Sequence, residues 1–206
     1  MKINNYKLFL ESTKDIEYTC HKYRISNYII HSDGTVDVNG DVDLYNKKLT
    51  QLPVKFGKVT GYFTCNNNHL TSLEGSPHWV GIDFECRDNR LTSLKGSPQY
   101  VGKDFSCSVN RLNTLECGPN VVLGSYWCND NIIINFKGFP EDFDLLSYIN
   151  FNKNPVNVLL KDIPYDKINK FIYWCNEYDA ITDNGWIIHE RMEEAYNKIG
   201  LEYEQY

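Results

Sequence analysis

One spacing constrains this chain more than any single residue in it. From Gly61 to Phe143 the same residue types return every 21 positions without a slip. Phe63, Phe84, Phe105 and Tyr126 form one column, Cys65, Cys86, Cys107 and Cys128 a second, and Asn68, Asn89, Asn110 and Asn131 a third. Leu70, Leu91, Leu112 and Ile133 follow, then Leu73, Leu94, Leu115 and Phe136. Each unit closes on Pro77, Pro98, Pro119 or Pro140, three residues before Val80, Val101, Val122 or Phe143. A degenerate first copy puts Val42, Leu44, Leu49, Leu52 and Val59 in these columns, with Lys47 where Asn belongs. A last copy, offset by 23, reads Ile149, Phe151, Asn154 and Val156. A unit this short cannot bury its apolar residues alone, so the copies must stack into a solenoid.

Within a unit, Phe84 and Cys86 alternate with Asp83, Glu85 and Arg87. Period two belongs to a strand, which turns the first pair inward and the other three outward. Strands stacked about 4.8 Å apart make a parallel sheet over one continuous core. The Asn column stands where each strand bends away, placed to satisfy backbone groups left free there. Cysteine in an inward column acts as a small hydrophobe filling a narrow core. Zinc or an iron–sulfur cluster is the alternative for stacked thiols, but CxxC spacing is missing, so no metal and no cofactor is expected.

The period is lost at both ends. Residues 11–22 have the pattern of a short helix, and Tyr23 to Val38 that of a hairpin turning at Asp33-Gly34. Its second strand leads straight into the first coil and is expected to cover the N-terminal edge of the sheet. After Leu160, Ile168, Phe171, Ile172, Cys175 and Tyr178 share one helical face. Ile188, Met192, Ala195 and Ile199 share another, ending at Gly200. The expected fold is therefore an α+β repeat solenoid. A helix and hairpin cap occupies residues 1–39, a right-handed array of about six coils with a short parallel sheet occupies 40–160, and a two-helix cap occupies 161–206.

The segments FTCNNNHL, FECRDNRL, FSCSVNRL and YWCNDNII read apolar-x-apolar-x-x-Asn-x-apolar. This pattern resembles the leucine-rich repeat in its short bacterial form of about 20 to 21 residues. With DGTVDVNGDVDL ahead of the repeats and two helices behind them, the chain from residue 28 to about 200 is also similar to leucine-rich-repeat proteins encoded by tailed bacteriophages. Three features depart from that pattern: Lys47 in the Asn column, Cys117 in the column of Gly75, Gly96 and Gly138, and the stretch NIIINF. The resemblance implies a rigid scaffold without catalytic residues and, for a phage product, a host protein as partner.

Function then has to be read from the outward positions. They form the rows Asp41, Tyr62, Asp83, Asp104, Ser125; Asp43, Thr64, Glu85, Ser106, Trp127; and Tyr45, Asn66, Arg87, Ser108, Asn129. Five of the fifteen are acidic, and a basic row of Lys48, His69, Arg90 and Arg111 follows the Asn column. Charges on a strand face are compatible with ordinary solvation. A tryptophan there is rarer and is favoured at the centres of interfaces. The candidate protein-binding residues are Tyr62, Asp83, Glu85, Arg87 and Trp127, with Arg90 and Arg111 on the rim. The expected role is a non-enzymatic interaction module that binds a host protein, such as a defence protein, and inhibits or redirects it. The alternatives are a virion or assembly accessory protein, or a DNA mimic or nucleic-acid-associated binder.

Other classes find less support. The five histidines fall in separate contexts, and the HExxH-like IIHERMEEA has Glu193 where the second His belongs, so no enzyme is expected. A formal net charge of −6 opposes the counterion release that drives nucleic-acid binding. No run of about 18 apolar residues is present. The segment MKINNYKLFLESTKD is too polar for a signal peptide, which points to the cytoplasm and away from membranes.

Overall fold

The computed structural model describes residues 13–140 and 146–204, and Phe143 lies outside them. A helix, α1, covers 13–22 and buries Cys20. The strands β1 (Tyr28–Ile30) and β2 (Val36–Val38) pair antiparallel. Gly34 takes φ 80° in their turn, and the Thr35 N–H donates to Asp33 Oδ1 at 3.0 Å. From there the chain winds as a β-solenoid.

Each coil contributes two short strands, so two parallel sheets form where one was expected. Sheet A runs β1, β2, β4 (Phe56–Val59), β6 (Trp79–Val80), β8 (Tyr100–Val101), β10 (Val121–Val122). Sheet B runs β3 (Val42–Asp43), β5 (Phe63–Thr64), β7 (Phe84–Glu85), β9 (Phe105–Ser106), β11 (Ser125–Trp127), β12 (Tyr148–Asn150). Six strands in sheet B mark five turns of the solenoid. The second sheet has a simple cause. Coils of equal length place every extended segment over its own copy, so the segment after each proline also pairs, Val59 with Val80 and Val80 with Val101. The hairpin also differs from expectation, because β2 joins β4 and therefore extends sheet A. Sheet B begins at β3, which among the described residues pairs only with β5.

The inward columns lie where the alternation predicts. Phe63, Phe84, Phe105, Tyr126 and the four columnar cysteines are all fully buried. Their rings stack along the solenoid, Phe63 on Phe84 at 5.4 Å and Phe84 on Phe105 at 5.7 Å between centroids. Burial pushes the thiols of Cys65, Cys86, Cys107 and Cys128 far above their ordinary range, so they are protonated and unreactive.

The Asn column closes the bend that ends each strand of sheet B. Asn89 Oδ1 accepts the Leu70 N–H at 3.0 Å, and its Nδ2 donates to the carbonyls of Cys65 and Cys86 at 3.0 and 3.1 Å. Asn68, Asn110, Asn131 and Asn154 repeat the arrangement. Each Asn serves the coil before its own, which explains Lys47: among the described residues no earlier coil of sheet B stands beneath it. The residue ahead of each Asn is left-handed, with φ of 55° at Asn67, 56° at Asp88, 55° at Val109 and 57° at Asp130. Asn and Asp tolerate that conformation, whereas a β-branched valine is strained by it.

The helices α2 (Ile168–Glu177) and α3 (His189–Lys198) pack at the other end of the array. They bury Phe171, Ile172, Cys175, Met192 and Ala195. The Phe171 ring meets Phe136 of the last full coil edge-on at 6.3 Å, and Asn176 Nδ2 donates to the Phe136 carbonyl at 3.0 Å. No described helix is long and apolar enough to cross a membrane.

Candidate binding face on sheet B

The outward face of sheet B is built by three rows, and the smallest side chains fall in the middle. Ser106 and Ser108 on the fourth coil stand between Glu85 and Arg87 on the third and Trp127 and Asn129 on the fifth. The result is an open notch of about 410 Å³, one coil wide, with a serine floor and tall walls. The walls shade the floor: Ser106 is 8% exposed and Ser108 5%, although both point away from the core. Thr64 and Asn66 are covered in the same way farther along the sheet.

Trp127 is half-buried, not freely exposed. Tyr148 on β12 packs against its indole, with centroids 4.9 Å apart and the planes tilted by 47°, and Tyr148 leans in turn on Tyr165. On its other side, toward β9, Trp127 lines the notch. Glu85 is steadied from the other side, where its Oε2 accepts from Asn66 Nδ2 at 2.6 Å. Asn66 Oδ1 accepts the Arg87 N–H at 2.8 Å, so one buried amide positions both wall residues. Asn129, on the Trp127 side, holds the floor in place by accepting the Ser108 hydroxyl at 2.7 Å.

The acidic row at the start of the strands has a structural use that its sequence position did not reveal. Asp41 Oδ1 accepts the Tyr62 N–H at 3.0 Å, Asp83 Oδ1 the Asp104 N–H at 3.0 Å, and Asp104 Oδ1 the Ser125 N–H at 2.8 Å. Each carboxylate thus caps the backbone of the next coil. A Cβ at Gly61 or Gly124 would collide with such a carboxylate, which explains glycine at those two positions. Asp83 therefore serves the scaffold first, while Asp104, outside the candidate set, lines the notch.

Glu85, Arg87 and Trp127 come together in the notch. Tyr62 stands apart, 37% exposed and three coils from Trp127, or about 14 Å. Its phenol is held above its ordinary pKa by partial burial and by the carboxylates of Asp41, Asp43 and Glu85. Arg90 and Arg111 are not brought in. They follow the left-handed residues Asp88 and Val109, past the point where the chain leaves the sheet, and neither lines the notch.

Two features were not anticipated. Val109, which lines the notch, is 45% exposed despite its left-handed backbone; its place in the column of Asn67, Asp88 and Asp130 was the available signal. The outward row of sheet A, Lys58, Trp79, Tyr100 and Val121, was visible as a 21-residue column but chemically uneven. There Trp79 and Tyr100 lie parallel at 5.5 Å, and Lys58 Nζ sits 4.1 Å from the Trp79 ring centre. These rings spend their faces on each other and on the lysine. Beside them, Asp37 accepts both from His31 at 2.8 Å and from the Lys58 N–H at 2.7 Å. Burial raises the Asp37 carboxyl, and these bonds more than offset it, leaving the group below its usual value.

Among the described residues no group of three or more His, Cys, Asp or Glu side chains converges as a metal site. Comparison of the chain with protein-family models, with curated proteins and with solved structures finds no match.

Proposed function

We propose that this chain is a non-enzymatic binding module that engages a protein partner through the outward face of sheet B. The observation that carries this reading is the notch. It brings the side chains of Trp127, Glu85, Asp104 and Arg87 around a floor of small polar residues. The backbone beneath is fixed coil by coil by buried asparagines, so little conformational entropy is lost on association and modest contacts give useful affinity. The repeat resemblance supports a bacterial host protein as the partner, one that is inhibited or redirected when bound.

The test is capture of the partner with tagged protein from bacterial lysate, followed by affinity measurements on folded variants. Trp127→Ala is expected to cost about 2 kcal/mol, about 30-fold in Kd. Glu85→Lys is expected to slow association in a salt-dependent way. Trp79→Ala on sheet A serves as the control and should bind as wild type. If the partner binds both sheet B variants with unchanged affinity, the face is wrong, and the helical segment from Asp166 to Gly200 becomes the next surface to examine.

A further inference from the structure

The notch is more specific than a generally acidic face. Its walls stand on strands two spacings apart, about 9.6 Å. Side chains on each wall take about 2 Å of that, which leaves room for a single planar group between them. One wall carries the indole of Trp127, with Tyr148 packed on the side away from the notch, the other begins with Glu85, and Asp104 stands at the end where the strands enter. Glu85 spends Oε2 on Asn66, and Asp104 spends Oδ1 on the Ser125 N–H; no hydrogen bond to Glu85 Oε1 or Asp104 Oδ2 is found among the described residues.

The floor supplies a separate observation. Ser106 is more than nine-tenths buried, lines the notch, and its hydroxyl has no hydrogen-bond partner among the described residues. Its neighbour Ser108 is satisfied by Asn129, so the vacancy is local to the centre of the notch. Ser106 Oγ is not one of the fully buried orphan atoms, so it keeps some solvent access and stands open to accept from an incoming group. Val109 adds an exposed methyl surface to the rim at the expense of backbone strain, and such strain gathers at binding sites.

Resting on the binding reading above, we infer that the notch receives one arginine side chain of the partner. The guanidinium lies against Trp127, directs its N–H groups to Glu85 Oε1, Asp104 Oδ2 and Ser106 Oγ, and keeps its aliphatic stem beside Val109. A flat, delocalised cation suits an indole wall and paired oxygen acceptors better than an ammonium does. Arg87, one row farther along the strands, repels a second cation and sets the polarity of the site: a basic residue at the Asp104 end, an acidic or neutral one at the Arg87 end.

The test is titration of isotopically labelled protein, observed by NMR, with the blocked amino acids N-acetylarginine methylamide and N-acetylcitrulline methylamide. These share shape and differ in charge. Arginine should give saturable millimolar shifts confined to the Trp127 indole N–H and the amides of Ser106, Ser108 and Val109, with citrulline about tenfold weaker or more. Glu85→Gln keeps an acceptor for Asn66 and should weaken arginine several-fold. Glu193→Gln, which removes the same charge from α3, should leave it unchanged. The inference is overturned if citrulline matches arginine, if the shifts spread over the acidic surface, or if no shift appears at tens of millimolar. Should Trp127→Ala still release the captured partner in any of those cases, the sheet B reading stands and only the arginine assignment falls.

Discussion

Replacing Asn110 by alanine tests the scaffold at its most repeated joint. The Oδ1 atom of Asn110 takes the Leu91 N–H at 2.9 Å, and its Nδ2 donates to the carbonyls of Cys86, Cys107 and Ser108 at 3.1, 3.1 and 3.2 Å. Alanine orphans the Leu91 N–H in the wall of the core, at about 1–3 kcal/mol. The carbonyls suffer less: Cys86 keeps Asn89, Cys107 keeps Asn131, and Ser108 keeps the Asp88 N–H. Adding about 0.5 kcal/mol for each weakened carbonyl gives about 3 kcal/mol in all. Urea unfolding should show that loss as a lower midpoint with unchanged slope, and heating as a Tm lower by roughly 6–12 °C. The double variant with Asn131→Ala strips the Cys107 carbonyl of both its amide donors. It should therefore lose more than the sum of the two single variants. A change below about 0.5 kcal/mol for Asn110→Ala, or strict additivity of the pair, would refute the claim that these amides close the coils.

Three further outcomes follow from particular side chains. The Tyr126 hydroxyl is fully buried without a hydrogen-bond partner among the described residues, so Tyr126→Phe should be neutral or stabilising by about 1 kcal/mol in urea unfolding; a clear loss would mean the hydroxyl is satisfied. Val109→Asn should stabilise by about 1 kcal/mol, because asparagine accepts the left-handed backbone that valine resists; destabilisation in the same assay would deny the strain. Of the seven cysteines only Cys117 is exposed, so one thiol should react rapidly with an alkylating reagent in native protein and all seven in denaturant. Rapid native modification of a columnar cysteine, or stoichiometric zinc or iron in the purified protein, would contradict that packing.

The core was legible because every coil must solve the same burial problem, so Phe63, Cys65, Leu70 and their copies had to repeat in register. The Asn ladder was legible for the same reason: a bend that recurs every 21 residues needs the same amide each time. Sheet A was harder to see. Its repeat strands β6, β8 and β10 are two residues long and offer a single inward valine each, while the outward row runs from Lys58 through two aromatic rings to Val121 without one consistent residue type. The use of Asp41, Asp83 and Asp104 as caps depends on the pitch between coils, which a linear pattern of charges does not contain. The notch itself arises from a difference in size between neighbouring coils, Ser106 and Ser108 against Glu85 and Trp127. Those residues were visible in their rows, but only stacking made the small pair a floor. Arg90 and Arg111 were placed on the rim of the strand face by counting along the chain, and neither is among the residues that line the notch.

The central claim is that a partner docks on sheet B. Hydrogen exchange of the captured complex, compared with the free protein, tests it most directly because it needs no substitution and surveys every surface at once. The account predicts that added protection concentrates on residues 85–87, 104–109 and 125–129, with little change on sheet A at Lys58, Trp79 and Tyr100. Protection confined to sheet A, or to α2 and α3, with the notch exchanging as in the free protein, would contradict it.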